Sequence, residues 1–324
     1  MPTPIRWGII GLGKIAHKFA ADLRQVPDAR LVAVASTSPE RAAAFAAEHG
    51  AAHVFSRYED LARCAEVDVV YIATPHHQHC PCTLMCLEEG RAVLCEKPFA
   101  LCAADARRMV ETARRKGLFL MEALWTCFIP ATERAFELMR EGAIGRLHTV
   151  KADFGFRMPV DPAHRLFNPD MGGGSLLDIG IYPALLGLLA FGPPAPADIH
   201  AVRHLGPTGV DESCAFLFRY PENRLLIGHS TVAASTPIEA HLYGTEGSIY
   251  LHPRWHHSQR LTLSRYEGRE SMSQTYDLPY TGWGYSFEAA HVTRCLQEGR
   301  TESERCPLSL TLALAETLDR IAAQ

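Results

Sequence analysis

The first 123 residues alternate between solid apolar stretches and stretches whose apolar residues recur at helical spacing. The apolar stretches lie at 5–10, 31–36, 67–74, 92–97 and 118–123, and amphipathic stretches join them. Solid apolar stretches bounded by turn residues predict buried strands, and apolar residues at i, i+3 and i+4 predict helices. Strands that alternate with helices predict an α/β domain with a parallel, doubly wound sheet.

After residue 123, apolar and polar residues alternate singly, which is typical of a meander of antiparallel strands with one face in solvent. Such strands are predicted at 147–156, 215–220, 224–233, 238–245, 247–253 and 260–266, and helices at 131–145, 284–299 and 308–323. We therefore predict two domains. Residues 1–123 form the domain with the parallel sheet, and residues 124–324 form an α+β domain with an open, mainly antiparallel sheet. We expect the ligand site between them.

The composition argues against several classes of protein. The chain has 324 residues, 47% of them hydrophobic, and a net charge of −4, so it lacks the basic surface that nucleic-acid binding requires. We find no signal segment and no uninterrupted apolar run of the roughly 18 residues that a membrane span needs, so we expect a cytoplasmic protein with no membrane partner. The ten cysteines are scattered through helical sequence, which predicts thiols rather than disulfides.

The segment GLGKIA joins the first predicted strand to the first predicted helix. Gly11, Gly13 and Ala16 form a G-x-G-x-x-A pattern: the first glycine permits a tight turn, the second admits a pyrophosphate, and the small third residue lets the helix pack on the strand. Lys14 and Ile15 lie in the same turn, where the helix N-terminus offers N–H groups to phosphate. We predict a dinucleotide bound to a Rossmann domain.

The end of the second predicted strand decides between NAD and NADP. An acidic residue there would bind the ribose hydroxyls of NAD, but the sequence is ASTSPER. The hydroxyls of Ser36, Thr37 and Ser38 and the guanidinium of Arg41 suit a 2′-phosphate, so we predict NADP, with NAD as the alternative. In the other interpretation Ser38 caps the next helix and Arg41 is a solvated surface residue.

Histidines and cysteines are unusually dense in TPHHQHCPC, residues 74–82. Zinc sites commonly combine ligand pairs from two segments, and the sequence has no second segment of this kind, so we predict no metal. The segment follows a predicted strand, at the edge of the sheet where doubly wound folds bind ligands. We expect Thr74, Pro75 and His76 to contact the cofactor, and His79 either to contact it or to be structural.

Two segments carry candidate groups for hydride transfer, which requires a base for the hydroxyl proton. CEKP places Glu96 and Lys97 at the end of the fifth predicted strand, beside the expected cofactor. GGGSLLDIGIYP places Asp178 and Tyr182 four residues apart, on one face of an otherwise apolar helix. A tyrosine is a poor base at neutral pH unless a cation such as Lys97 stabilises its phenolate. The alternatives are a solvated lysine and a buried, hydrogen-bonded tyrosine.

Four motifs, GLGKIA, ATPHHQH, CEKP and GGGSLLDIGIYP, occur in this order along the chain. In this order and spacing the chain resembles the family of glucose-fructose oxidoreductase, inositol dehydrogenase and rhizopine catabolism proteins (Gfo/Idh/MocA) over its whole length. EALWTCFIP, DFGFR and DPAHRLFNP are similar to its branch of dimeric dihydrodiol dehydrogenases, also described as NADP-dependent D-xylose 1-dehydrogenases. Thr37 and Cys127 stand where arginines are common in that branch.

The resemblance implies an NADP-dependent oxidoreductase that transfers hydride between nicotinamide and a carbinol carbon of a sugar or cyclic diol. It implies Lys97 and Tyr182 as the catalytic pair, Asp178 as a substrate ligand, and a homodimer or higher homo-oligomer formed through the open sheet. It also implies a substrate pocket lined by Trp125, Phe154 and Phe156, for each of which core packing is the alternative. The family also contains non-catalytic regulators, so an NAD(P)-binding sensor is the rival interpretation.

Overall fold

The computed structural model describes residues 3–192, 198–268 and 270–324. The chain forms two compact units, of which the first comprises residues 1–125 and 281–312 and the second comprises residues 126–280 and 313–324. The predicted boundary after residue 123 lies close to the first division. Residues 281–312, which the prediction assigned to the second domain, cluster with the first unit.

The first unit is built on a parallel sheet. Its elements, in chain order, are β1 (Ile5–Ile10), α1 (Lys14–Leu23), β2 (Ala29–Ala35), α2 (Pro39–His49), β3 (His53–Phe55), α3 (Tyr58–Arg63), β4 (Val69–Ile72), α4 (His79–Glu88), β5 (Ala92–Cys95), α5 (Ala103–Lys116) and β6 (Leu120–Glu122). The strand order β3-β2-β1-β4-β5-β6 reverses beside β1, as in a Rossmann fold. The predicted doubly wound sheet is confirmed.

The second unit contains a mixed sheet. Its elements are α6 (Pro130–Arg140), β7 (Leu147–Gly155), α7 (Ile181–Phe191), β8 (Asp198–Leu205), β9 (Asp211–Tyr220), β10 (Arg224–Thr231), β11 (Ala240–Gly244), β12 (Gly247–Leu251), β13 (Arg260–Glu267) and β14 (Glu270–Asp277). The order is β14-β13-β12-β11-β7-β10-β9-β8. The mainly antiparallel character is confirmed, but the meander is wrong, because β7 lies between β11 and β10 and pairs with β10 in parallel.

One helical segment, Pro169–Phe191, is long and apolar enough to cross a membrane by length and composition. Sequence analysis expected no such segment. In the structure 78% of its most apolar window is buried, and α7 packs against β7 and β10. An all-round apolar helix that is covered on most sides has the character of a core helix of a folded unit.

A buried carboxylate explains why the segment that begins at residue 281 belongs to the first unit. Asp22, on α1, is 1% exposed and accepts hydrogen bonds from the backbone N–H groups of Trp283 (2.9 Å) and Tyr285 (2.8 Å). The helix that begins there, α8 (Tyr285–Gln297), packs against α1. The last helix is α9 (Leu308–Ala322). Because hydrogen bonds to buried charged groups contribute about 1.5 to 3 kcal/mol each, Asp22 anchors this return of the chain.

Candidate active site

The turn between β1 and α1 has the geometry that its glycines predict. Gly11 has φ +86°, and a Cβ there would lie 2.6 Å from the backbone nitrogen of Thr74, so only glycine fits against the end of β4. Gly13 is exposed and begins α1 without a side-chain cap, and a Cβ on it would meet nothing within 4 Å. Ala16 is fully buried. An open glycine before uncapped helix N–H groups fits the pyrophosphate of a dinucleotide.

The end of β2 presents two hydroxyls that are already engaged. Ser36 is buried, and its Oγ accepts a hydrogen bond from the backbone N–H of Ser38. Ser38 Oγ accepts from the backbone N–H of Arg41 (3.2 Å), so it caps α2, and it donates to the Glu40 carboxylate (2.9 Å). Thr37 and the Arg41 side chain are exposed. The groups free to meet a 2′-phosphate are therefore chiefly the Thr37 hydroxyl and the Arg41 guanidinium.

His79 joins the two loops that follow β4 and β5. It is 1% exposed; its Nε2 lies 2.9 Å from the carbonyl oxygen of Thr74 and its Nδ1 lies 2.7 Å from that of Pro98. Burial lowers the pKa of His79 to about 4, so the ring is neutral at pH 7 and its single N–H donates to one of the two carbonyls. In this position His79 holds the two loops together. His76 is also buried.

The thiols of the same segment are neutral. Burial raises the pKa of Cys80 to about 11 and that of Cys82 to about 12, and it raises that of Cys86 further. Thiolate is the form that binds metal, so these side chains are packed as small apolar groups. All ten cysteines are free thiols, as expected.

Lys97 begins the loop after β5 and is half-buried. Its backbone N–H donates to Glu96 Oε2 (3.2 Å), and Glu96 Oε1 accepts a hydrogen bond from the Tyr71 hydroxyl. The Lys97–Pro98 peptide bond is cis. The main chain beside the Lys97 ammonium is therefore held by a carboxylate that is itself fixed from β4.

Glu122, at the end of β6, holds the same loop from the other side. Its Oε1 accepts a hydrogen bond from the backbone N–H of Phe99 (3.0 Å). Complete burial raises the pKa of Glu122 to about 7, and the nearby Glu96 acts in the same direction, while Lys97 acts against it. The sequence analysis missed Glu122 and Tyr71. The available signal was an acid at the end of the apolar stretch LFLMEA.

The glycine-rich segment before α7 is fixed by a buried carboxylate of β9. Asp211 accepts hydrogen bonds from Ser175 Oγ (2.8 Å) and from the backbone N–H of Leu176 (2.7 Å). Gly174 has φ +114°, and a side chain there would collide with Asp211. A Cβ on Gly173 would lie 2.7 Å from the carbonyl oxygen of Leu166. The glycines therefore permit the close approach that positions the turn carrying Asp178.

Asp178 and Tyr182 lie on successive turns, since residues 176–180 form a π-helical turn that leads into α7. Asp178 is 6% exposed and accepts a hydrogen bond from Arg165 (2.9 Å), which stabilises its charged form. The Tyr182 ring is buried and packs against Phe154 (5.5 Å between centroids) and His256 (4.9 Å). Arg165 and His256 were not predicted from the sequence, although Arg165 lies in the motif DPAHRLFNP.

The three aromatic residues predicted for the substrate pocket have different surroundings. Trp125 is buried and stacks on Tyr285, both in the first unit, with ring centroids 4.5 Å apart. Phe154 and Phe156 are half-buried in the second unit, and Phe154 stacks on His256. Both phenylalanines also pack against an apolar cluster composed of Leu166, Phe167, Ile179, Val210 and Val232.

Each unit thus gathers part of the predicted site. In the first unit, contacts join the ends of β1, β2, β4 and β5: Gly11 N–H donates to Ala35 (3.3 Å), Gly11 abuts Thr74, and His79 spans Thr74 and Pro98. In the second unit, the turn before α7 gathers Asp178, Tyr182 and the aromatic rings around them. The arrangement supplies a nucleotide-binding edge and an acid–tyrosine pair.

Comparison with known proteins gives consistent matches over both units. Residues 5–124 match a family described as "Oxidoreductase family, NAD-binding Rossmann fold", and residues 132–250 match the "GFO/IDH/MocA C-terminal domain". Trans-1,2-dihydrobenzene-1,2-diol dehydrogenases are 37% identical in Mus musculus (97% of this chain, 95% of the relative) and 36% in Homo sapiens (98% and 96%).

A solved structure extends the comparison to the fold. The 3-ketoreductase of Actinomadura kijaniata, crystallised with NADP, has a TM-score of 0.87 and 24% identity, and the match covers 99% of this chain and 98% of that one. At that identity the likeness concerns the fold alone.

Proposed function

The chain belongs to the Gfo/Idh/MocA oxidoreductase family, and we propose that it oxidises a carbinol carbon of a sugar or cyclic diol with NADP. The predicted nicotinamide-dependent oxidoreductase is confirmed. The observation that carries the proposal is the buried pair at the start of α7. Asp178 accepts a hydrogen bond from Arg165, and Tyr182 packs against the rings of Phe154 and His256. The relatives, which act on dihydrodiols, support the substrate class.

Tyr182 is the proposed base. In the oxidative direction the substrate O–H bond breaks, its proton goes to the Tyr182 phenolate oxygen, and its electron pair forms the second bond of the C=O group. The C–H bond of the same carbon breaks, and its hydrogen leaves with the bonding pair as hydride. NADP, when bound, would supply the acceptor for that hydride. A cation must stabilise the phenolate if a tyrosine is to act near neutral pH, and Lys97 is the residue proposed for this role. The Asp178 carboxylate accepts a hydrogen bond from a neighbouring substrate hydroxyl and orients the carbinol.

Two substitutions test these roles. Lys97→Met and Tyr182→Phe should each lower turnover by about 10² to 10⁴, the usual contribution of a positioned acid or base. NADPH binding, measured by fluorescence titration, should persist in both. Matched controls are Lys116→Met, whose ammonium pairs with Glu88, and Tyr266→Phe on the exposed sheet. Near-normal turnover in both test variants would exclude the proposed pair.

The substrate is best identified by a spectrophotometric screen. Pentoses, hexoses, inositols and trans-dihydrodiols should be offered with NADP and, in parallel, with NAD. We expect turnover with at least one sugar or cyclic diol and a preference for NADP. Bound nucleotide without turnover of any alcohol would instead favour the alternative, a non-catalytic NAD(P)-binding sensor.

The open face of the second unit's sheet is the proposed site of self-association. Val202 is 76% exposed, and Leu217, Ile227 and Tyr243 are exposed on the same face, where Ile227 pairs directly with Leu217. An exposed apolar face of this kind is typical of a surface that is covered by a partner.

Light scattering during size-exclusion chromatography tests this surface. Ile227→Glu should convert a dimer or larger oligomer to monomer, because it places a charge within the apolar face. The control Val54→Glu changes an equally exposed apolar residue of the first unit and should leave the oligomer intact. A monomeric parent protein, or an Ile227→Glu variant that stays associated, would reject this interface.

A further inference from the structure

Two histidines and a glutamate from neighbouring helices converge on the surface of the first unit. His17 lies on α1, and Glu48 and His49 lie at the end of α2. His17 Nδ1 is 3.0 Å from His49 Nε2 and 3.2 Å from one Glu48 oxygen, and His49 Nε2 is 3.3 Å from the other oxygen. The separation of 32 positions between the two histidines hides the group from a search for closely spaced ligands.

These distances match those between ligand atoms around a single ion. In a tetrahedral zinc site with bonds of about 2.0 to 2.1 Å, ligand atoms are separated by roughly 3.3 Å. All three separations in the group lie within a few tenths of an ångström of that value. One hydrogen bond between two rings would explain one short distance. A common centre explains all three.

The packing of the two rings suits metal binding. His49 is 8% exposed, so its ring is held in place by its neighbours. Phe45 packs against both His17 (4.5 Å) and His49 (4.4 Å) and restricts the two rings. Glu48 is largely exposed and supplies the negative charge, while the Arg24 guanidinium donates to its backbone carbonyl and not to its carboxylate.

We propose that His17, Glu48 and His49 form a site for one divalent transition-metal ion of the zinc class, with a fourth position open to water. Two imidazoles and a carboxylate are a ligand set that this class of ion accepts. The ion links the end of α2 to α1, the helix that begins at Gly13. The site is independent of the proposed catalytic pair, and its occupancy stabilises the folded first unit.

A second group of ligand-type side chains is a weaker candidate. Among the described residues, His291, Cys295 and Glu304 also have ligand atoms close together. Burial raises the pKa of the Cys295 thiol, however, and the Glu304 carboxylate forms an ion pair with Arg300. A neutral thiol and a carboxylate already neutralised by a cation are poor ligands.

Titration of the full-length protein tests the site. After removal of metal with a chelator and dialysis, Zn²⁺ is added in a calorimeter, and Co²⁺ is added while its visible absorption is recorded. The parent protein should bind one saturable equivalent and gain thermal stability with Zn²⁺, because a ligand that binds only the folded state raises the melting temperature. His17→Ala and Glu48→Gln, both changes at exposed side chains, should abolish both effects.

A matched histidine supplies the control. His53 lies 3.2 Å from Glu66 in the same unit. Among the described residues it belongs to no group of three ligand-type side chains, so the His53→Ala variant should bind Zn²⁺ as the parent does. Circular dichroism and NADPH binding verify that each variant is folded. A parent protein without a saturable equivalent, or a His17→Ala variant that binds Zn²⁺ as the parent does, would overturn the proposal.

Discussion

The surroundings of Lys97 and of Tyr182 differ in kind. Lys97 lies in a loop fixed by polar contacts: Glu96 accepts from its backbone N–H, and Glu122 accepts from the N–H of Phe99. Tyr182 is fixed by packing against Phe154 and His256. The lysine's position is therefore sensitive to the protonation of buried acids, whereas the tyrosine's position depends on the shape of neighbouring rings.

The difference follows from where each residue sits in its unit. Lys97 lies where parallel strands end, and their unpaired backbone groups must be satisfied by side chains, so buried acids gather there. Tyr182 projects from an apolar helix packed on a sheet, where rings fill space and orient one another. The two halves of the proposed catalytic pair should therefore respond to different perturbations.

The largest expected effect is on the pH dependence of stability in the first unit. The pKa of Glu122 is raised from 4.5 to about 7, so its proton stabilises the folded state below pH 4.5, and that contribution is lost as the pH rises through 7. Between pH 4.5 and 7 the protonation of Glu122 changes the free energy of unfolding by about 3 kcal/mol. Glu122→Gln mimics the protonated acid and should gain about that much stability relative to the parent between pH 4.5 and 8, measured by urea unfolding.

The comparison between variant and parent removes the contributions of other groups, including His79, whose lowered pKa acts in the opposite direction. Glu88→Gln, at an exposed ion-paired acid, is the control and should show no such gain. A parallel pair of pH profiles for Glu122→Gln and the parent would contradict the role assigned to Glu122.

In the second unit, shape should matter more than charge. His256→Ala removes the ring that packs on Tyr182 and should lower turnover by about 10- to 100-fold, since small displacements of a reacting group are costly. His256→Phe keeps a ring and should retain most activity and the parent's pH profile. His252→Ala, which removes a sheet histidine bonded to Thr262, is the control. Equal loss in the Phe and Ala variants would show that the imidazole's polarity is required.

A smaller effect is expected where charge does enter the second unit. Arg165→Ala removes the half-exposed partner of Asp178, an interaction of about 1 kcal/mol, so KM for the alcohol should rise by about fivefold while KM for the nucleotide is unchanged. Arg219→Ala removes a comparable ion pair, formed with Asp198 on the sheet, and should change neither KM value. An equal rise in both KM values would mean a structural role.

The smallest effect concerns the choice of nucleotide. If the exposed Arg41 guanidinium meets a 2′-phosphate, Arg41→Ala should weaken NADP binding by about two- to threefold and leave NAD binding unchanged, as expected for a solvated ion pair. Glu40→Gln removes a nearby negative charge and should shift NADP binding in the opposite direction. Arg57→Ala, at an arginine that pairs with Glu59, is the control. Identical changes for both nucleotides would reject this assignment.

The first unit was predictable from sequence because its signals are local. Buried parallel strands are apolar on both faces. Glycine at positions 11 and 13 directly indicates a tight turn and a place where the backbone can approach a pyrophosphate. The strands and helices that were missed have little local signal: β3 has three residues, α3 has six, and β8 and β14 contain no fully buried residue.

Candidate site residues could be proposed from the sequence only where their chemistry coincided with a motif. Lys97, Asp178 and Tyr182 lie in recognisable segments, but their supports come from distant positions: Glu122 for the Lys97 loop and His256 for Tyr182. Periodicity reports which face of an element is buried, not which distant residue it meets. The parallel pairing of β7 with β10 escaped prediction for the same reason.

The attachment of residues 283–285 to Asp22 has a consequence for protein engineering. A gene fragment that stops after residue 125 would leave that carboxylate buried or newly hydrated without its backbone donors, and would omit α8 from the side of α1. Exchange of nucleotide-binding domains between relatives must therefore carry two pieces of coding sequence, because the portable part of this enzyme is discontinuous.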